Sequence, residues 1–414
     1  MTVRVNKPAF NIREKLSELE RPIGVTGNDL MKAETTEEAG ALLGVGRKNM
    51  VINGQMWINQ RNGTSSYTIP HATGGSYGGP DRWAINEATN GSVSVNMDGD
   101  PRSTNGNGTA VQEFSKAMQI ACQSADTSVS GNENLHFFQN IEGYYITQLA
   151  WGTPAAKPVT LSFWVKTNLT GIYCVGIENN STNRSCIKEY TITSANKWQK
   201  VVLTFPGCPD GTWEATNGTG IRLRFCLASG DTYDDGVDGV WGTTDELTTG
   251  NQVNFMSSTS NRYFITGVQL EAGSNATAFE HRTYAEELML CQRYYEKWQG
   301  ESSYNWYIAH GYSSHIYLTF PYKVPKRNSF PNGSGGATVE YSTTSAASMW
   351  SAYGNTSTSA HLDAHITSTP ASVASTNNDL SLYLEVNNTT YTPYGTAVLV
   401  GIENGQWVAV NAEL

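Results

Sequence analysis

The stretches LSFWVK (161–166) and IRLRFCL (221–227) decide the fold class. In the first, Leu161, Phe163 and Val165 alternate with Ser162, Trp164 and Lys166. In the second, Ile221, Leu223, Phe225 and Leu227 alternate with Arg222, Arg224 and Cys226. A period of two marks a strand with one face on a core and the other toward water. Working outward, YYITQLA (144–150), IYCVGIE (172–178), KWQKVVLTF (197–205) and RYFITGVQLEAG (262–273) read as further short strands with turn residues between them. Residues 49–282 are therefore expected to form a jelly-roll-like β-sandwich, and the Gly, Asn and Thr segments near 104–109 and 231–249 its end loops, where ligands are commonly met.

Length and composition agree with a β-rich, multidomain chain. At 414 residues it exceeds the ~250 to 300 at which single cores stop growing. Charged residues make up 15%, well below the usual ~25%, while Thr, Ser, Asn and 40 Gly suit strands and turns. The 11 Trp and 21 Tyr supply rigid rings for cores and contact surfaces. A net charge of −10 without clustered Lys or Arg argues against a nucleic-acid partner. Cys122, Cys174, Cys186, Cys208, Cys226 and Cys291 contain no CxxC pair and no zinc spacing, so free, largely buried thiols are expected. Met1 leads into TVRVNKPAF without a signal segment, and no apolar run reaches the ~20 residues of a membrane helix. A soluble product made in the cytoplasm with no membrane insertion is expected, so Asn62-Gly-Thr and Asn217-Gly-Thr read as turns.

Toward the N-terminus, PAFNIREKLSELERP places Phe10, Ile12, Leu16 and Leu19 on one face of a short helix closed by Pro22. A helix this short is marginal alone, so its stripe is expected to dock on another chain or on its own copies. In NDLMKAETTEEAGALLGVG, Asp29 or Thr35 can cap a second helix, with Glu38 as capping-box partner and Gly44 and Gly46 as stop. RKNMVINGQMWINQRNG (47–63) reads as an alternating strand and a turn at Asn62-Gly63, and DRWAIN (81–86) as another strand. FITGVQLEAGSNATAFEHRTYAEELMLCQRYYEKW (264–298) then closes a strand, turns at Gly273 and Asn275, and caps a helix at Thr283 whose apolar face carries Leu288, Cys291, Tyr294 and Tyr295.

These segments resemble phage tail fibre proteins. The likeness lies in the AETxxEAxxxLGxG linker, the N-x-x-I-N-G opening, the DRW strand and, above all, the 264–298 run. There Gln269, Leu270, Glu271, Gly273, Phe279, Glu280, Arg282, Glu287, Leu288, Cys291, Gln292, Arg293, Tyr294 and Tyr295 match. NIREKLSEL also looks like marine cyanophage virion proteins, and the sandwich is similar to carbohydrate-binding modules. The resemblance implies a homotrimeric virion structural protein in the tail. Residues 1–48 would attach to tail adaptor or nozzle proteins through Phe10, Ile12, Leu16 and Leu19; 49–282 would form the body; 283–299 a connecting helix; and 300–414 a distal β tip. Multivalent, non-covalent binding of a host-surface polysaccharide or protein receptor would follow. A head-attached fibre or decoration protein and a secreted carbohydrate-binding module are the alternatives.

Beyond residue 300, WYIAHGY, HIYLTFPYKVP, ATVEYS, LSLYLEV, GTAVLVGI and QWVAVNAEL again read as strands, with Pro321, Pro325 and Pro331 marking a strand edge and turn. For glycan contact the candidates are Trp213, Tyr233 and Trp241 in the sandwich, and Trp306, Tyr307, Tyr312, Trp350 and Tyr353 in the tip. Flat rings pack on apolar sugar faces while nearby Asn, Asp and Thr bind hydroxyls. Aromatics at strand positions are more often core or interface residues, which is the competing reading. No catalytic group, metal or cofactor is expected. Ser313 with His315, and His361 with Asp363 and His365, lack a third anchor. Asp231, Asp234, Asp235 and Asp238, punctuated by Gly236 and Gly239, read as solvated loop acids, with calcium as the alternative. No β-helical repeat announces a depolymerase.

Overall fold

The computed structural model describes residues 47–99, 101–102, 111–181, 183–299, 305–312, 315–327, 338–341, 350–354, 364–366, 381–387, 396–402 and 407–413. The attachment residues Phe10, Ile12, Leu16 and Leu19, and the second capped helix, lie outside the described residues. The sandwich strands are β1 (Tyr67–Thr68), β2 (Ala72–Ser76), β3 (Ala84–Glu87), β4 (Ser92–Gly99), β5 (Ala117–Ser124), β6 (Asn134–Glu142), β7 (Val159–Thr167), β8 (Gly171–Glu178), β9 (Ser185–Ile192), β10 (Gln199–Phe205), β11 (Thr219–Ser229), β12 (Trp241–Gly242) and β13 (Arg262–Ala272). Helix α1 (Gly143–Ile146) follows β6, and α2 (Tyr284–Gln292) follows β13.

These strands form two antiparallel sheets. One has six strands in the order β1-β4-β5-β13-β7-β10, and the other seven in the order β12-β9-β8-β11-β6-β3-β2. The alternation decides what lies between them. Phe163 of the six-stranded sheet meets Phe225 of the seven-stranded one edge to face at 5.1 Å, and Phe225 stacks on Phe137 at 4.8 Å. All three rings are fully buried, a gain of about 1.5 to 3 kcal/mol per side chain. Tyr190 and Tyr263 meet across the sheets, and their hydroxyls hydrogen-bond at 2.8 Å, so both buried phenols are satisfied. A bulge between Thr266 and Gln269 bends β13 at Gly267, which has φ of +63°. A Cβ there would lie 2.5 Å from the Phe114 ring that caps this face.

Two expected strands take other forms. YYITQLA is helical: α1 runs through Ile146 and a 3₁₀ turn covers Thr147–Leu149. Its pattern suits both states, and burial of Ile146 and Leu149 under the sandwich end selects the helix. Residues 47–63 form no strand, because asparagine side chains take up the backbone groups a ladder would need. Asn53 accepts from the Trp57 and Ile58 amides at 2.9 and 3.1 Å and donates to the Ile58 and Asp81 carbonyls at 2.8 and 2.9 Å. Asn49 accepts from the Val51 and Leu270 amides and donates to the Val268 carbonyl. The DRW strand begins later, at Ala84, since Arg82 has φ of +75°.

The matched run holds the fold together. Glu280 accepts from the Lys48 and Asn49 amides. Arg282 donates to the Asn49 and Val51 carbonyls and pairs with Glu280 and Glu287, while Glu287 accepts from the Asn53 amide at 2.5 Å. Helix α2 has the expected Thr283 cap, which Glu286 completes as a capping box, but is shorter than the expected 283–299, ending at Gln292. Cys291 and Tyr294 pack with Ile52 and Ile58, whereas Tyr295 opens strand β14 (Tyr295–Gln299). Arg293 pairs with Glu142 at 2.8 Å, and these ties between distant segments make residues 47–58 and 264–294 one packed layer.

Six of the C-terminal strands are those expected, β15 (Asn305–Tyr312), β16 (His315–Pro321), β17 (Thr338–Tyr341), β20 (Ser381–Asn387), β21 (Thr396–Ile402) and β22 (Trp407–Asn411), and two that the sequence reading did not mark, β18 (Trp350–Gly354) and β19 (Ala364–Ile366), join them. They form a three-stranded sheet, β14-β22-β17, and a six-stranded one, β19-β18-β21-β15-β16-β20. Pro321 ends β16 opposite Ser381, consistent with its missing donor. After β22 the chain returns to the sandwich. The Glu413 carboxylate meets Arg61 and Arg82, and Arg327 donates to the Ala412 and Glu413 carbonyls.

Candidate functional site

One end of the sandwich is built from α1, the segment after it, and the loop of residues 206–218. Gly143 permits the close approach, since a Cβ there would lie 2.4 Å from the Glu214 carbonyl oxygen. The Gly143 and Tyr144 amides donate to the Gly218 and Thr216 carbonyls at 2.9 Å each. With Ile146 and Leu149 buried, the neighbouring positions face out, and Tyr144 and Tyr145 are 58% and 37% exposed. Burial still pushes the Tyr145 phenol up, reinforced by Glu142.

Trp151 follows at once and gathers two more indoles. Its ring meets Trp213 at 4.6 Å and Trp241 at 5.4 Å, and those two meet each other at 5.6 Å, all edge to face. Trp151 is buried, while Trp213 and Trp241 are half-buried. Each indole N–H donates to a backbone carbonyl: Trp151 to Lys157 at 2.7 Å, Trp213 to Asp210 at 3.0 Å and Trp241 to Pro206 at 2.9 Å. With the polar edges satisfied, the surface that Trp213 and Trp241 present to solvent is ring carbon. Beside them, Arg184 donates through Nε and Nη2 to the two Asp210 oxygens at 2.6 and 3.0 Å, which holds the Asp210 carboxyl below its usual range. Asn179 braces the same loop by donating to Asn183 and to the Thr212 carbonyl. Apolar plates flanked by fixed charged and amide groups suit a ligand with both C–H faces and hydroxyls.

Of the candidates read from sequence, Trp213 and Trp241 are brought together. Tyr233 is not with them: its carbonyl accepts from the Leu247 and Thr248 amides at 3.0 Å and closes the 230–249 loop. In the tip, Trp306, Tyr307 and Tyr312 lie on β15 and Trp350 and Tyr353 on β18, the two strands flanking β21.

The aspartates of 231–238 do not converge. Asp231 accepts from the Gly131 amide at 2.6 Å; Asp238 accepts from the Glu189 amide at 2.9 Å and meets Lys188 at 3.5 Å. Among the described residues, no group of three or more His, Cys, Asp or Glu is placed to hold a metal ion. Ser313, His361 and Asp363 lie outside the described residues, and His315 and His365 occupy strand positions in β16 and β19. All six cysteines are free and buried, and burial pushes Cys174 and Cys186 up to about 11 and about 12.

Two features escaped the sequence reading. Tyr144 and Tyr145 were hidden by the strand assignment, although the Gly143 that precedes them signals a turn. The second is a charged cluster on the outer face of the seven-stranded sheet. Glu178, fully buried, lies 3.2 Å from Arg224 and 3.6 Å from Arg222, and Arg224 also pairs with Asp245 at 2.7 Å. Burial outweighs the Arg224 charge and raises the Glu178 carboxyl to about 7. Alternation already put Arg222, Arg224 and Glu178 on the face away from the core; only the fold of the 231–249 loop over them explains their burial.

No family model matches this chain, and no curated protein matches it. Solved structures are similar to part of it. The enzymatically active domain of tailspike protein 4 of bacteriophage CBA120 is 13% identical over 54% of this chain, with a TM-score of 0.26, and the match spans only 21% of that chain's length. A CBM4 module is 16% identical over 52% of this chain and 99% of its own, with a TM-score of 0.26. The family 11 carbohydrate-binding module of a Clostridium thermocellum cellulosomal cellulase is 10% identical over 52% of this chain and 99% of its own, with a TM-score of 0.24. Likeness at this level assigns the chain no function.

Proposed function

We propose that this protein is a phage tail fibre, a virion structural protein that attaches to the host cell surface by non-covalent binding of glycans, without chemistry of its own. The observation that carries the binding half is the indole cluster: Trp213 and Trp241 offer ring carbon to solvent, their N–H groups are turned inward, and Arg184 with Asp210 flanks them. Exposed Tyr144 and Tyr145 extend the aromatic surface at the same end. The virion half rests on the resemblance of the 264–298 run and its linker to phage fibres. In this reading the chain is a homotrimer held to tail adaptor or nozzle proteins by its N-terminal segment. Three copies of a weak site, repeated over several fibres, raise avidity while leaving each contact reversible.

The test has two arms. Purified protein is incubated with host cells and with cell-surface polysaccharide, and virions are labelled with antibody against residues 1–48. Cell binding that free polysaccharide competes away, no shortening of the polysaccharide, and label on tails are the expected results. Label on capsids would make it a head fibre or decoration protein, shortened polysaccharide would make it an enzyme, and failure to bind cells would remove the adhesive role.

A further inference from the structure

We infer that the groove between the turn at 59–65 and strand β14 is a second subsite, built for an anionic saccharide whose carboxylate, sulfate or phosphate group meets Lys297. The inference rests on the glycan-binding reading above and adds the class of sugar. The groove is open and has a volume of about 520 Å³, with Asn59, Asn62, Ser65 and Lys297 on its walls and Arg61 beneath them.

Two independent features point to a ligand bearing acceptor oxygens. The first is Lys297. Its ammonium donates to the Arg61 carbonyl at 3.2 Å and sits 4.9 Å from the centre of the Trp407 ring, but it makes no ion pair among the described residues. Burial lowers its pKa, outweighing the attraction of Asp81, so the cation is partly stripped of water. The nearby carboxylates are already taken: Asp81 by Arg61, and Glu413 by Arg61 and Arg82. The second feature is Asn59. Its Oδ1 accepts from the Asn62 amide at 3.0 Å, which fixes the orientation of the side-chain amide. The Nδ2 donor at the other end is buried and has no acceptor. An unmet buried donor costs about 1 to 3 kcal/mol, which a ligand oxygen would recover.

The surroundings favour a sugar as the carrier of that charge. Arg61 is held rigidly, its guanidinium 3.7 Å from the Tyr295 ring centre and 4.9 Å from that of Tyr77. Asn62 donates to the Gly78 carbonyl at 2.9 Å, and the Tyr67 ring, 36% exposed, lies directly against Gly78. A cation, an unpaired amide donor and an exposed ring beside one groove supply charge, hydroxyl recognition and an apolar face together.

Affinity electrophoresis of the full chain through gels containing polygalacturonate, dextran sulfate, phosphorylated mannan or uncharged dextran tests the inference. Retardation by at least one charged polymer beyond that by dextran is expected, and the responding polymer identifies the anion. Ser65→Glu sets a like charge at an exposed position where it cannot disturb packing, and Lys297→Met removes the cation but keeps its stem. Each is expected to weaken the charged-polymer interaction tenfold or more. Equal retardation by charged and uncharged polymers, or a charge preference that both variants retain, would overturn the anionic subsite. Neither result touches the adhesion reading, which falls only if the wild-type protein fails to bind host cells.

Discussion

Replacing Glu178 by Gln tests the electrostatics of the sandwich most directly. The Glu178 carboxyl is fully buried and sits at about 7, against an ordinary value of 4.5, because burial outweighs attraction to Arg224 and Arg222. The folded chain thus holds a proton between these values that the unfolded chain releases. Stability from this group is fully present below pH 4.5, falls as pH rises through that interval, and is lost above about 7. The gap between 4.5 and about 7 corresponds to about 3 kcal/mol. Glutamine keeps the shape and cannot ionise, so the variant lacks this slope whatever its stability at any single pH. Unfolding followed by tryptophan fluorescence at pH 4 and pH 8 gives the difference between the two proteins at each pH. The variant is expected to gain about 3 kcal/mol on the wild type between them, or roughly 6 to 12 °C in midpoint for a domain of this size. Parallel pH profiles would refute the reasoning, because they would mean that Glu178 is ionised in the fold at no net cost.

Trp213→Ala and Trp241→Ala are each expected to weaken host-cell binding about tenfold, from about 1.5 kcal/mol of lost ring contact, with Tyr144→Ala smaller; cell-binding titrations would read the order. Arg282→Ala is expected to destabilise by about 3 to 5 kcal/mol, because it leaves the buried Glu287 and the half-buried Glu280 without their cation; chemical denaturation measures it. All six cysteines should resist iodoacetamide in the native protein and react after unfolding, and mass spectrometry that finds any one labelled first would contradict its burial. Removing Ala412 to Leu414 should loosen β22 from the sandwich, raising amide exchange in 407–411 as Arg61 and Arg82 lose Glu413 and Arg327 loses the Ala412 and Glu413 carbonyls.

The sequence by itself determined the class of structure. Alternation in LSFWVK and IRLRFCL is a local property, since successive side chains of any strand point to opposite faces, and it assigned Phe163 and Phe225 to the core and Arg222 and Arg224 to the outside. The Thr283 cap of α2 was equally local and equally legible. The tertiary structure alone decided what depends on meetings between distant segments. Residues 47–63 alternate like a strand, but Asn49 and Asn53 find backbone partners as far away as Leu270 and Asp81 and turn the segment into a loop. Trp213 lies in the loop after β10 and Trp241 on β12, and they become one surface only because Trp151, four strands before the first of them, supplies the ring they share. Lys297 and Asn59 line a common groove although 238 positions separate them in the chain. Period and capping act within a few residues and can be read in order; a binding surface is made by packing, which brings together residues that no local rule relates.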